Sequence, residues 1–141
     1  MLTSRQIDLV QTSFAVIAPI ADDAAALFYR RLFALDPGLE QMFAGDMAKQ
    51  RRMLMQMLSA AVKGLTRLDR LVPIVEDLGR RHAGYGVEDA HYDTVGTALI
   101  WTLEKGLGGA FTPEMRDAWT TVYGLLATTM KNAAAKERCA A

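Results

Sequence analysis

The sequence predicts an all-α domain of about six to eight helices. Three observations predict it. Apolar residues recur at spacings of three and four, which places them on one face of a helix. Threonine, aspartate and proline stand where helices begin, and glycines stand where they end. No segment shows the alternation between turn signals that a strand needs.

The 141 residues read as a single domain, 1–141, with a short disordered tail from about residue 135. With 51% hydrophobic residues there is ample material for one core. Thr3, Ser4, Arg5 and Gln6 form a capping-box pattern, and Ile7, Val10, Phe14 and Ile17 follow at helical spacing until Pro19. A second helix begins near Asp22 and carries Ala25, Phe28, Tyr29, Leu32 and Phe33. Asp36 and Pro37 read as a cap and a first-turn proline of a short helix that runs to Met42 and Phe43. Gly45 breaks the pattern.

Asp46 can cap the next helix, whose face holds Met47, Gln50, Leu54, Met57, Leu58, Ala61 and Val62 before Gly64. A further helix places Leu71, Ile74, Val75, Leu78 and His82 along one stripe, and Gly84 and Gly86 end it. From Glu88 a long helix carries Tyr92, Val95, Leu99, Leu103 and Leu107 to Gly106, Gly108 and Gly109. Thr112, Pro113 and Glu114 start the last helix, which runs through Trp119, Val122, Tyr123, Leu126 and Met130.

Net charge is zero, so nothing points to a nucleic acid or an anionic membrane. The arginine pairs at 30–31, 51–52 and 80–81 read as solvated helix edges. Cys139 is the single cysteine, so no disulfide framework exists, which fits a reducing cytoplasm. A functional thiol at Cys139 would need a shaped electropositive site. Residues 14–21 lack the basic flank of a signal peptide, and no apolar run is read as membrane-spanning.

Common enzyme templates are missing: no phosphate-binding glycine loop, no Cys/His zinc cluster and no nucleophile motif. No serine or cysteine has a neighbouring base, although His91 with Asp89 or Asp93 could form a hydrolytic pair. The five methionines between 42 and 57 read as core filling rather than thioether ligands. His82 on an apolar stripe has two readings: a core histidine with a backbone partner, or an axial metal ligand.

Residues along nearly the whole chain decide between these readings. They are Leu27, Phe28, Tyr29, Arg30, Arg31, Leu32 and Phe33, then Pro37, Phe43, Gln50 and Leu54. Leu78 to His82, His91 and Tyr92, Ala118 and Trp119, and Val122, Tyr123 and Gly124 complete the set. With these markers the chain resembles bacterial single-domain haemoglobins of the Vitreoscilla type and the globin domain of flavohaemoglobins. The resemblance implies a globin fold around haem b, with His82 as the proximal iron ligand. It implies that Phe43 packs against the haem and that Tyr92 lies beside the proximal imidazole. Tyr29, Gln50 and Leu54 would line the distal side, where a phenol or amide donor stabilises bound O₂ and Leu54 keeps water out.

One position departs from the family. The glutamate that joins the tyrosine in flavohaemoglobins falls on Ala134, and Glu137 comes one turn late. A carboxylate there favours O–O cleavage, so its loss favours reversible binding. The function implied is reversible binding of O₂, NO, CO or similar ligands, with no catalytic residue assigned, as a monomer or homodimer. The rivals are a nitric oxide dioxygenase served by a separate reductase, a haem-based gas or redox sensor, and a haem-free helical interaction module.

Overall fold

The computed structural model of the chain describes residues 2–43 and 45–140, with side chains to residue 136. Among the described residues there are six α-helices and no strand. They are α1 (Ser4–Ile17), α2 (Ala21–Leu35), α3 (Met47–Lys63), α4 (Leu68–Gly84), α5 (Asp89–Leu107) and α6 (Pro113–Ala140). Short 3₁₀ turns at Ala18–Ile20, Pro37–Met42, Gly64–Thr66 and Gly108–Ala110 connect them.

The helix starts follow from local hydrogen bonding. At α1 the Thr3 hydroxyl accepts from the Gln6 amide, and the Gln6 side chain accepts from the Thr3 amide. Asp36 accepts from Gly38, Asp46 from Ala48, and Thr112 from Met115. Each satisfies an amide that the first helical turn leaves without a partner. Three corners among the described residues have positive φ, Gly45 at 115° before α3, Gly86 at 89° after α4 and Gly108 at 56° after α5, where a side chain would be strained.

Packing then arranges the six helices. α4 packs against α6, α2 packs against α5, and α1 packs against α6 while also touching α3 and α5. α3 leans on α2 and meets α4 mainly through the Gly64–Thr66 turn between them. Val10, Phe28, Leu32, Leu65, Trp119 and Val122 are almost fully buried at the centre. The buried Trp119 indole donates to Ser13 Oγ at 2.8 Å, and that hydroxyl in turn reaches the carbonyls of Leu9 and Val10. A buried polar pair is tolerated because each group has a partner.

The contact of α4 with α6 is backbone-close. A Cβ on Gly79 would lie 2.5 Å from the Met130 carbonyl oxygen, so only glycine lets the two helices approach this far. Gly79 is three residues before His82, so the same contact positions the end of α4.

Three expectations change. Ile74 is 51% exposed, not part of the buried stripe. At 100° per residue it stands about 60° to the side of Leu71, whereas Val75, Leu78 and His82 stay closer to it. α6 runs to Ala140; its Ala133 and Ala134 are buried, and alanine favours helix. Arg31 is half-buried, with its guanidinium 4.9 Å from the Trp101 ring centre, instead of lying at a solvated edge. The stretch Ser4–Leu35 contains a window of mean hydropathy 1.2, long and apolar enough by composition to cross a membrane. In the fold Pro19 interrupts it, and its Val10, Phe14, Ile17, Phe28 and Leu32 are core residues. The side chains of Cys139 and Glu137 lie outside the described residues.

Candidate functional site

His82 stands near the end of α4, with its ring half-buried. Nδ1 lies 2.9 Å from the Leu78 carbonyl oxygen, one turn earlier. A carbonyl only accepts, so Nδ1 carries the proton and Nε2 presents a lone pair. Burial lowers the imidazole pKa below its ordinary value, opposed by the Leu78 hydrogen bond and assisted by the charge of Arg81. His82 is therefore a neutral imidazole of fixed tautomer with one nitrogen free to ligate. The exposed Tyr85 ring sits 6.2 Å from it.

A second group forms where α2, α3 and the Phe43 corner meet. Tyr29 is buried at 5% exposure, and its hydroxyl accepts a hydrogen bond from Gln50 Nε2 at 3.1 Å. Burial raises the phenol pKa, which the Gln50 contact partly offsets. Tyr29 is thus neutral, and with Gln50 donating to its oxygen it keeps its own proton for an acceptor. Phe28, Phe33 and Phe43 surround the ring at centroid distances of 5.1, 5.9 and 5.4 Å. Phe28 and Phe43 meet it edge-on and Phe33 is tilted, and such ring contacts hold a phenol without competing for its hydroxyl.

Leu54 lies one turn after Gln50 on the same face of α3 and, with Phe28, lines a small internal cavity. Most of that face is half-buried: Met47, Gln50, Leu54, Met57 and Leu58, in contrast to the buried Ala61 and Val62 near the helix end.

Tyr92 is buried on the first turn of α5. Its carbonyl accepts from Tyr123 Oη at 2.5 Å, and the Lys131 ammonium stands 5.6 Å from its ring centre. Ala134 is buried on α6. His91 closes the start of α5: its Nδ1 accepts from the Glu88 amide at 2.9 Å within a reciprocal cap. This explains the second histidine without catalysis. Among the described residues no group of three or more His, Cys, Asp or Glu could hold a metal ion by itself.

The structure thus joins Tyr29, Gln50 and Phe43 directly, with Leu54 alongside, and places His82 and Tyr92 on α4 and α5. The sequence reading did not single out Gly79 as a close approach, Met55 as a cavity wall or Ser13 as the partner of Trp119. A small residue interrupting an apolar stripe was the available signal for Gly79. Nothing local marked the other two.

Comparison with known proteins identifies the family and the fold. A family profile described as Globin matches residues 26–130. The chain is 29% identical over 130 residues to a flavohemoprotein of Bacillus subtilis, covering 90% of this chain and 33% of that protein. A flavohemoprotein of Vibrio cholerae is 28% identical over the same length and coverage. The chain therefore spans about a third of the length of these relatives. In fold it is similar to a bacterial globin from Campylobacter jejuni, with a TM-score of 0.84 and 23% identity over 96% of this chain and 99% of the other. It is also similar to an engineered carbene transferase from Rhodothermus marinus, a candidate nitric oxide dioxygenase, with a TM-score of 0.88 and 23% identity over 99% and 98%.

Proposed function

The chain belongs to the globin family, and from that premise we propose that it holds haem b on His82 and reversibly binds O₂ and other diatomic gases. The observation that carries the reading is the fixed tautomer of His82, whose Nδ1 is engaged by Leu78. The residues fit the group. Nε2 is the unprotonated nitrogen that an axial ligand needs, and a backbone partner on the other nitrogen is the usual orienting device. The half-buried apolar face of α3 and the ring of Phe43 offer a flat macrocycle the surface it requires.

Haem held there would supply an iron able to bind a diatomic gas. This chain's residues do the rest. His82 holds the group from α4. Tyr29 donates its proton to an electronegative ligand atom on the distal side, and Gln50 keeps the phenol oxygen oriented. Such a hydrogen bond to a partly charged acceptor contributes about 1.5–3 kcal/mol. Leu54 and Phe28 exclude water from the same region. Tyr92, held at its carbonyl by Tyr123, supports the proximal side.

A second reading, dioxygenation of NO, is favoured by the identity to flavohemoproteins. Its balance is NO plus O₂ plus one electron to nitrate, so it requires a reductase, as a partner protein or a further domain. We place the protein in the cytoplasm, on the support of a sequence with one cysteine.

Absorption spectroscopy of the purified protein tests the main reading. An intense Soret band that shifts on reduction and again on adding O₂ or CO is expected. A colourless protein that takes up no haem would refute it. Nitrate formation from NO under O₂ with a supplied reductant would establish the dioxygenase.

A further inference from the structure

Two cavities share a wall. The inner one, about 20 Å³, lies beside Phe28 and Leu54 and is closed by Leu99, Leu103 and Trp119. The outer one, about 520 Å³, is a groove between the α1–α2 corner and α3, lined by Ala18, Ala21, Gln56, Ser59 and Lys63. Phe14 and Met55 line both. Resting on the gas-binding reading above, we propose that Met55 gates an apolar passage by which gas reaches the distal side of the site from the α1–α3 groove.

The geometry supplies each part of the route. The inner space has room for one water-sized molecule, yet its one polar lining residue is Thr102, whose hydroxyl is occupied by the Ala98 carbonyl at 2.8 Å. A cavity without free hydrogen-bonding groups disfavours water and accepts small apolar molecules. O₂, NO and CO are of that kind. Leu54 and Phe28 form its inner wall, and Phe28 packs edge-on against Tyr29 at 5.1 Å. The Phe28 ring therefore stands between the cavity and Tyr29, the group that would meet the ligand.

The outer wall has one fixed and one adaptable member. Phe14 is buried and rests 6.4 Å from the Trp119 ring, in the centre of the core. Met55 is half-buried and unbranched, with three rotatable bonds. Moving Met55 joins the groove to the cavity, whereas moving Phe14 would disturb the core. Opening through Met55 needs no helix displacement.

The test uses the haem-loaded protein. CO association is followed after flash photolysis in the parent, in Met55→Trp and in Met55→Ala. Trp is expected to slow bimolecular association several-fold and Ala to speed it, with the Soret band unchanged. Ser59→Trp, at the groove mouth, blocks the same route without touching the inner cavity, so a poorly folding Met55→Trp does not end the test. A crystal of the parent pressurised with xenon is expected to show xenon beside Leu54 and Leu103. Parent-like association rates in the folded, haem-loaded variants, or no xenon in the cavity, overturn the passage while the haem reading stands. A parent that binds no haem overturns the haem reading instead.

Discussion

A histidine ligates iron only through an unprotonated nitrogen, and at His82 the Leu78 carbonyl determines which nitrogen that is. His82→Ala is expected to abolish stable haem incorporation, read as loss of the Soret band; an unchanged spectrum would remove His82 from the proximal role. Tyr29 depends on a different balance, since its hydroxyl is both an acceptor for Gln50 and a remaining donor. Tyr29→Phe deletes the donor and keeps the ring among its aromatic neighbours. O₂ release should then be roughly tenfold faster or more, from about 1.5–3 kcal/mol of lost hydrogen bonding. A parent-like dissociation rate would show that the phenol does not face the ligand. In the core, Ser13→Ala leaves the buried Trp119 N–H without its acceptor. A loss of about 1–3 kcal/mol is expected in denaturant titrations, and an unchanged midpoint would deny the bond its weight.

At the scale of elements, α4 is the piece that aims the site, and its seat on α6 depends on one missing Cβ. Gly79→Ala forces that atom to within 2.5 Å of the Met130 carbonyl oxygen and 2.6 Å of its Cα. Backbone cannot swing aside as a side-chain tip does, so α4 must shift. A stability loss of about 1–3 kcal/mol is expected, with weaker haem retention because His82 moves with the helix. Gly84→Ala, where a Cβ meets nothing within 4 Å, is the control and should be neutral. Equal urea midpoints for the two variants would contradict the close approach. Helix identity itself was legible, because periodicity and caps are local: Thr3 with Gln6, Asp36 with Gly38, and Asp46 with Ala48 all act within three residues. Ile74 was misplaced because a residue at the margin of a stripe is buried or exposed according to how its neighbour lies.

For the whole molecule, the buried phenols couple stability to alkaline pH. Tyr29 and Tyr123 both have pKa values raised from 10.0, and burial is the main cause. The folded state holds these protons more tightly than the unfolded chain does. Their contribution is therefore complete below pH 10 and declines as pH rises beyond it. Tyr123→Phe is expected to flatten the decline in unfolding free energy above that pH, measured by denaturant titration at a series of pH values. Identical slopes for variant and parent would show that Tyr123 contributes no such linkage.

The residues alone determined the all-α class and most helix starts, because capping and amphipathic spacing act within one or two turns, and they carried the membership markers from Leu27 to Gly124. They also identified His82 and Leu78 as neighbours, four apart on one helix. Only the tertiary structure decided that Gln50 meets the Tyr29 hydroxyl across 21 residues, that Arg31 stacks on Trp101, and that Met55 stands between a groove and a cavity. Those relations depend on how six helices cross, and crossing is set by summed side-chain shapes at distant positions.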